Sequence, residues 1–386
     1  MPSMPVRKRR LRVLFIEPFC GGSHRLFTGQ VAAHSRHSVE TLTLPGSFWK
    51  WRLRGGHLSL LKTVRARLGQ FDVLLAGGML SLAELVGALP QLARTPRIVY
   101  FHENQLSYPV PRGEAPDVHF GFTNLSTALA ADRIVFNSRF HREEFLGGIA
   151  GFLKPMPDHR PAGLADELRP KCSVVHPGID CDELERQRRE PEGAGRPVAI
   201  LWNHRWEFDK QPEVFFRALK ELAAEGLPFR VHVVGENFQV KPQPFLEARE
   251  ALGARIATFG HLPRRDDYIR VLWDSDIVAS TAIQEFFGIA VMEAVFCGAR
   301  PLLPRRLVYP ELYPEECLYG DDADFTDALR ALLMSGTASR TAGAAARERL
   351  RATYDVRRSV TALDDLVENA TARRRSRGLP PCGSAC

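Results

Sequence analysis

Short apolar runs bounded by turn residues alternate with longer mixed stretches along the first 180 residues. The runs are RVLFIE (Arg12 to Glu17), VETLTL (Val39 to Leu44), FDVLLAGG (Phe71 to Gly78), RIVYFHE (Arg97 to Glu103), RIVFNS (Arg133 to Ser138) and KCSVVHPG (Lys171 to Gly178). Runs this uniformly apolar read as strands covered on both faces, as in a parallel sheet. Strands alternating with helices predict a doubly wound α/β unit. A polar, charged stretch with Gly and Pro, ERQRREPEGAGRP, reads as an exposed linker. Beyond it a second series begins: VAILWN (Val198 to Asn203), FRVHVVGE (Phe229 to Glu236), RIATFG (Arg255 to Gly260), DIVAS (Asp276 to Ser280) and ARPLLP (Ala299 to Pro304). The architecture repeats although the sequence does not. The expected organisation is a basic extension over 1–10, a Rossmann-like domain over 11–185, a linker over 186–196 and a second Rossmann-like domain over 197–355. A C-terminal helix over 356–375 and a disordered tail over 376–386 complete it. The Ala-, Leu-, Arg- and Glu-rich stretch from Thr326 to about Arg375 is expected to form two or three helices.

Composition narrows the class without changing this picture. A length of 386 residues suits two domains, and 45% hydrophobic with 25% charged residues excludes a disordered or fibrous body. No apolar run approaches the roughly 18 to 20 residues that cross a bilayer, and Met1 to Arg12 is basic but lacks the following apolar h-region and cleavage site of a signal peptide. A cytoplasmic protein with no stable membrane insertion is expected. Seven scattered cysteines, an odd number, suit reduced thiols, and Cys382 with Cys386 lack a nearby histidine to complete a zinc site. The net charge of +7 is concentrated partly in Arg7-Lys8-Arg9-Arg10 and in Arg373-Arg374-Arg375 with Arg377. Such runs attract RNA or an anionic membrane alike, and solvated termini are the plain alternative.

Ligands of open α/β sheets bind beyond the carboxyl ends of the strands, so a cleft between the two sheets is the expected site. After the first strand, PFCGGSH places Gly21 and Gly22 at the opening of a helix, with His24 just inside it. Glycines there let backbone approach a ligand, and a helix N-terminus offers free N–H groups to an anion. The dinucleotide pattern G-x-G-x-x-G is absent, which disfavours a nicotinamide-dependent dehydrogenase. His102, Glu103 and Asn104 end the strand RIVYFHE, and PMPDHRP clusters Asp158, His159 and Arg160 between prolines, where a surface turn is the alternative. In WNHRWEFDK, Arg205 and Lys210 offer two cations to a departing diphosphate, unless they form an ordinary solvated pair. No Walker motif is present. In QEFFGIAVMEAVFCG, Glu285 and Glu293 flank Phe287 and Gly288 at the start of an apolar helix. If the intervening chain is helical, the two carboxylates stand roughly 12 Å apart, the reach from a sugar across a diphosphate to a ribose. A glutamate among Ile, Ala, Val, Met and Phe is costly to bury unpaired. Asp266-Asp267 follows a Pro-Arg-Arg loop and is expected to cap a helix, which leaves no persuasive metal site.

The segment from Glu285 to Glu293 resembles the E-x7-E signature of retaining glycosyltransferases of family 4, with Arg205 and Lys210 resembling that family's phosphate-binding pair. The resemblance implies the GT-B fold, with a nucleotide-sugar donor in the second domain and the acceptor on the side of the first. It implies that Glu285 meets the donor sugar, Glu293 the ribose, Phe287 and Gly288 the sugar and diphosphate, and His102 a sugar hydroxyl. Gly21 and Gly22 would lie beside the phosphates. Where the family has a glycine-first stretch before the cation pair, this chain has Asn203-His204. The strings IEPFCGGSH, YFHENQLSYPV, IVFNSRFHREEFL, MPDHRP, RPKC and WNHRWEFDKQPE are similar to the tRNA-queuosine α-mannosyltransferase family over about residues 11 to 370. That narrower resemblance implies transfer of mannose from GDP-mannose, with retention, to the cyclopentene diol of queuosine in a tRNA anticodon. His102, Glu285, Arg205 and Lys210 would be the catalytic set. His24, Glu103, Asn104, Asp158, His159 and Arg160 would be acceptor-side candidates, with no cofactor besides the nucleotide sugar and no metal.

Other readings stay open on the sequence. A family 4 enzyme acting on a lipid or glycan at a membrane surface would use the basic ends as anchors. A non-catalytic RNA-binding protein could keep the fold but would have no need of Glu285 and Lys210. A sugar-nucleotide epimerase of the same fold would need a different set of acidic and histidine groups.

Overall fold

The computed structural model describes residues 9–376 except 112, 114, 116, 190–194, 237–242 and 336–343. In chain order the first series is β1 (Arg12–Cys20), α1 (Gly22–His34), β2 (Ser38–Pro45), α2 (Trp49–Arg65), β3 (Val73–Gly77), α3 (Leu82–Ala88), β4 (Arg97–Phe101), α4 (Val118–Ala130), β5 (Arg133–Phe136), α5 (Arg139–Leu153), α6 (Leu164–Leu168) and β6 (Cys172–Val174). The second is α7 (Cys181–Arg186), β7 (Val198–Trp202), α8 (Pro212–Ala224), β8 (Phe229–Val234), α9 (Gln243–Leu252), β9 (Ile256–Gly260), α10 (Arg265–Asp274), β10 (Ile277–Ala279), α11 (Ile289–Phe296), β11 (Arg300–Pro304), α12 (Tyr309–Leu312), β12 (Leu318–Tyr319), α13 (Asp324–Met334) and α14 (Ala344–Tyr354). A last helix, α15, runs over Val356–Ser376.

The chain divides into two compact units. The first holds a parallel six-stranded sheet ordered β2-β1-β3-β4-β5-β6. Its central strands β1, β3, β4 and β5 are apolar on both faces because both are covered, whereas the edge strand β2 buries only Leu42. Leu14, Leu74, Val99 and Ile134 enter a core with α2 to α5, while Phe15, Leu75 and Tyr100 meet α1 and α15 on the other face. The second unit holds a parallel sheet ordered β12-β11-β10-β7-β8-β9, with Trp202, Phe215, Phe216 and Phe245 at the centre of its core. In each sheet the strand order reverses once, between β1 and β3 in the first and between β7 and β10 in the second. Loops leaving the carboxyl ends at such a reversal diverge and leave room for a ligand.

The first unit ends at Pro177 and resumes at Val356, so α15 belongs to it. The boundary lies earlier than the polar linker because α7 packs into the second unit. Trp273 Nε1–H donates to the Leu184 carbonyl at 2.9 Å, and Arg351 pairs with Asp182 at 2.6 Å. Arg9 pairs with Asp72 and Arg10 donates to the His37 carbonyl, tying the end of the basic run to the first unit. The rest of that run, the tail with Cys382 and Cys386, and the middle of the linker lie outside the described residues. Cys20, Cys172, Cys181, Cys297 and Cys317 are free thiols.

Candidate active site

In the first unit the site grows from the end of β1. Glu17 is wholly buried, and its carboxylate fits only because residue 77 of β3 has no side chain: a Cβ there would stand 2.1 Å from Glu17 Oε2. The Phe19 N–H donates to Glu17 Oε1 at 3.2 Å. Gly21 and Gly22 then open α1, with Gly22 at φ 47°, and Gly21 lies against the backbone of Gly46. This brings His24 between two carboxylates, Nδ1 at 3.2 Å from Glu17 and Nε2 at 3.1 Å from Glu103. Burial opposes its charge, but Glu103 and Glu17 outweigh burial and push the imidazole up to about 10. It is an imidazolium at neutral pH.

His102, just past β4, packs its ring 4.1 Å from that of His24. Burial, and then the adjacent positive charge, hold it well below the ordinary histidine range. It is therefore neutral, and its buried Nε2 has no hydrogen-bond partner among the described residues. Glu17, His24 and His102 also bring three atoms of metal-ligand type within 4.8 Å of one another. An imidazolium whose two nitrogens face carboxylates, however, has no lone pair to give an ion.

Other candidates of this unit part company. Asn104 is buried, and its Oδ1 accepts from the Leu106 and Ser107 N–H groups at 3.0 and 3.2 Å, so it shapes the turn after β4. Asp158, His159 and Arg160 stand on an exposed loop after α5, where Arg160 Nε donates to the Met156 carbonyl.

In the second unit, the loops from β7 and β10 meet. Lys210 lies in a short turn before α8, is 6% exposed, and reaches Asp209 Oδ2 at 3.1 Å, Glu285 Oε2 at 3.5 Å and the Gln284 carbonyl at 2.5 Å. Burial works against its charge, and Glu285 and Asp209 more than restore it. Glu285 Oε1 accepts from the Gly288 N–H at 3.1 Å. Gly288 takes the left-handed conformation (φ 78°) as the residue before α11, which suits glycine. Burial raises the Glu285 carboxyl, but Lys210, His204 and Arg205 together hold it below the usual range. A buried ammonium and a carboxylate thus stand at the N-terminus of an apolar helix, a place that favours phosphate.

Asn203 and His204, standing in place of glycines, brace this arrangement. Asn203 Nδ2 donates to the Ala290 carbonyl at 2.8 Å, and the buried His204 is held down to about 4 by desolvation and then by Lys210. Its backbone passes so close to Gly235 that a Cβ there would meet the His204 carbonyl oxygen at 1.8 Å.

Four expectations change. The chain between Glu285 and Glu293 is helical only from Ile289, so the two carboxylates do not share one helix. Glu293 is buried but not unpaired: Arg265 grips it with two nitrogens, at 2.5 and 3.2 Å, and also reaches Glu183 at 3.1 Å. Asp266 and Asp267 lie inside the first turn of α10 and do not cap it; Asp267 pairs with Arg270 at 2.8 Å. Arg205 is not a twin of Lys210, being half exposed and paired with Glu207 at 3.2 Å. Phe287 is buried and turns its ring toward Tyr354, leaving its backbone N–H toward Glu285. The residues that sequence reasoning passed over are Glu17, Asp209 and Arg265. Glu17 is a lone charge inside an apolar run, a signal by which sequence could have found it, whereas Asp209 and Arg265 stand among other charges and carry no such mark.

Sheet order, switch-point loops and a charged pocket at a helix N-terminus define a glycosyltransferase of the GT-B fold, and comparisons with known proteins agree. Sucrose-phosphate synthase from Thermosynechococcus elongatus superposes with a TM-score of 0.68 over 94% of this chain and 100% of that one, at 15% identity. The Anabaena protein HepE, in complex with UDP and glucose, gives 0.65 over 93% and 100%, also at 15% identity. The pattern described as tRNA-queuosine alpha-mannosyltransferase N-terminal matches residues 12–179, and a glycosyl transferase-like pattern matches residues 210–365. The tRNA-queuosine alpha-mannosyltransferase of Drosophila melanogaster is 38% identical over 82% of this chain and 85% of its own length. A GDP-mannose-dependent phosphatidylinositol dimannoside mannosyltransferase of Mycobacterium tuberculosis is 24% identical over 76% of this chain and 74% of its own. This chain belongs to the tRNA-queuosine alpha-mannosyltransferase family. Among the described residues, no helix is long and apolar enough to cross a membrane.

Proposed function

We propose that this glycosyltransferase moves mannose from GDP-mannose to a hydroxyl of the queuosine diol in tRNA, with retention at the anomeric carbon. The observation that carries the reading is the 38% identity to the Drosophila enzyme across segments of both units. The second relative, which is GDP-mannose-dependent by name, supports the donor. In the proposed reaction the bond from the anomeric carbon to the diphosphate breaks and a bond to the acceptor hydroxyl forms. The departing phosphate oxygen takes the hydroxyl proton, and GDP leaves. Lys210 and the N–H groups opening α11 stabilise the charge that builds on the diphosphate, in a site dry enough for a single ammonium to count heavily. Glu285 fixes Lys210 and the Gly288 turn and meets the sugar hydroxyls. Neutral His102, with an unsatisfied Nε2, suits a hydroxyl rather than a phosphate. No step in this scheme requires a metal ion, so transfer is expected to persist in EDTA.

Mass spectrometry of tRNA nucleosides after incubation with GDP-mannose, GDP-glucose, UDP-glucose or UDP-galactose tests the assignment. A hexose added to queuosine with GDP-mannose alone supports both donor and acceptor. Addition from another donor corrects the sugar, and an unchanged queuosine mass overturns the acceptor.

A further inference from the structure

Two large aromatic rings of the first unit stand in solvent: Phe48 and Trp51 are 74% and 75% exposed. Phe48 also holds left-handed backbone (φ 55°), a costly conformation for a bulky side chain. Trp51 heads a ridge along α2 that continues through Arg54, Leu58, Lys62 and Arg65, three or four residues apart and all exposed. The helix carries five lysines and arginines and no acidic residue. Its apolar side is already spent, since Leu53, Leu60 and Val64 are buried in the first unit. The solvent face is therefore aromatic at one end and cationic along its length.

The aromatic end adjoins the site. Gly46, just before Phe48, packs so tightly on the loop that opens α1 that a Cβ there would stand 2.3 Å from Gly21 Cα. Trp49 and Phe19 both pack against the cluster of Leu53, Met79 and Phe120, and the Phe19 ring meets that of His24 edge-on at 5.4 Å.

Exposed π-faces among cations, with Glu84 beside Arg54 at 4.0 Å the acidic neighbour on the ridge, fit unpaired nucleotides, whose bases stack on aromatic rings while phosphates meet Lys and Arg. A duplex keeps its base faces stacked inside and offers nothing to the rings. An anionic membrane also attracts Trp, Leu and Lys, but an interfacial helix needs a broad free apolar face, and the core has taken that of α2. We infer that Phe48, Trp51 and the cationic ridge of α2 bind a single-stranded RNA loop next to the His24 site, the rings stacking on unpaired bases. This rests on the proposed tRNA acceptor.

The test is fluorescence anisotropy with a labelled anticodon stem-loop, alongside transfer kinetics on whole tRNA. Phe48→Ser with Trp51→Ser is expected to weaken stem-loop binding at least tenfold, raise the KM for tRNA in step, and leave the affinity for GDP-mannose unchanged. Lys62→Glu with Arg65→Glu is expected to flatten the salt dependence by about 0.7 in log–log slope for each phosphate no longer neutralised. Wild-type affinity in the ring variant, or equal competition by a blunt duplex, overturns the inference. So does ring-dependent capture by phosphatidylserine vesicles with RNA binding unchanged. If wild-type protein leaves queuosine tRNA unmodified but its loop binding still depends on the rings, the acceptor reading fails and the surface stands. If queuosine is modified and the ring variant keeps its KM, the surface alone fails.

Discussion

Lys210 does two jobs that separate on mutation. Its ammonium compensates Asp209, which is fully buried, and Glu285. Removing it as Lys210→Met leaves buried negative charge, expected to cost about 3–5 kcal/mol in urea unfolding. It should also lower kcat by about 10²–10³, the usual loss of one charge-stabilising group. Glu285→Gln keeps shape and an acceptor for the Gly288 N–H, so transfer should collapse with a much smaller stability change; a fully active variant would show that the site lies elsewhere. His24 makes a second separable prediction. Its folded value, about 10, lies above the ordinary 6.5, so its stabilisation is complete below about pH 6.5 and is lost as pH rises through 10. Nitrogen-15 NMR should find both ring nitrogens protonated at pH 8, and a neutral ring there would refute the ion-pair reading. These roles are only half legible in the sequence. Glu285 and Lys210 stand out because each follows a strand. Glu17 is hidden inside RVLFIE, and the partner of Glu293, Arg265, lies 28 residues away in sequence, beyond any local pattern.

Contact between elements explains why small residues sit beside charged ones. Gly77 on β3 clears the space that the Glu17 carboxylate of β1 fills, and that carboxylate holds His24 of α1. Gly77→Ala is accordingly expected to cost about 1–3 kcal/mol as an overpacking change and to lower the His24 ring pKa. Gly87→Ala on α3, where a Cβ meets nothing within 4 Å, should be neutral or stabilising by about 0.4–1 kcal/mol. Equal losses at both positions, measured by urea unfolding, would sink the explanation. Elements themselves are the most readable level. All eleven apolar runs occur as strands, and the central ones are unbroken because a sheet buried on both faces imposes it, while β2 at the edge buries only Leu42. The two-residue β12 is too short to leave such a trace. The start of α11 behind Gly288 is legible as well, although Phe286 and Phe287 carry the apolar run back into the loop that Gly288 ends.

At the scale of the whole molecule, the chain returns to where it began. Having completed the second unit at Asp355, it sends α15 back to the first, where Val356, Val360, Leu363 and Val367 join the core around Phe15 and Tyr100. Asp364 accepts hydrogen bonds from Ser35 Oγ and the Arg36 N–H, and Arg36 also pairs with Glu368 at 2.9 Å, closing the seam at the end of α1. Four large apolar side chains at about 1.5–3 kcal/mol each make a sum comparable to the 5–15 kcal/mol that holds a domain folded. A chain stopped after Asp355 should therefore lose the first unit while keeping the second, whose core around Trp202 draws nothing from α15 among the described residues. Hydrogen exchange read by peptides is the measurement: β1, β3 and β4 should exchange freely while β7, β8 and β10 stay protected. Binding of GDP, the nucleotide of the proposed donor, should survive and transfer should vanish, because the Lys210 pocket is built from the second unit alone and the His24 cluster from the first. Loss of protection in both units together would mean that they fold as one cooperative body, and retained protection in β1 would mean that α15 is dispensable to the sheet it covers.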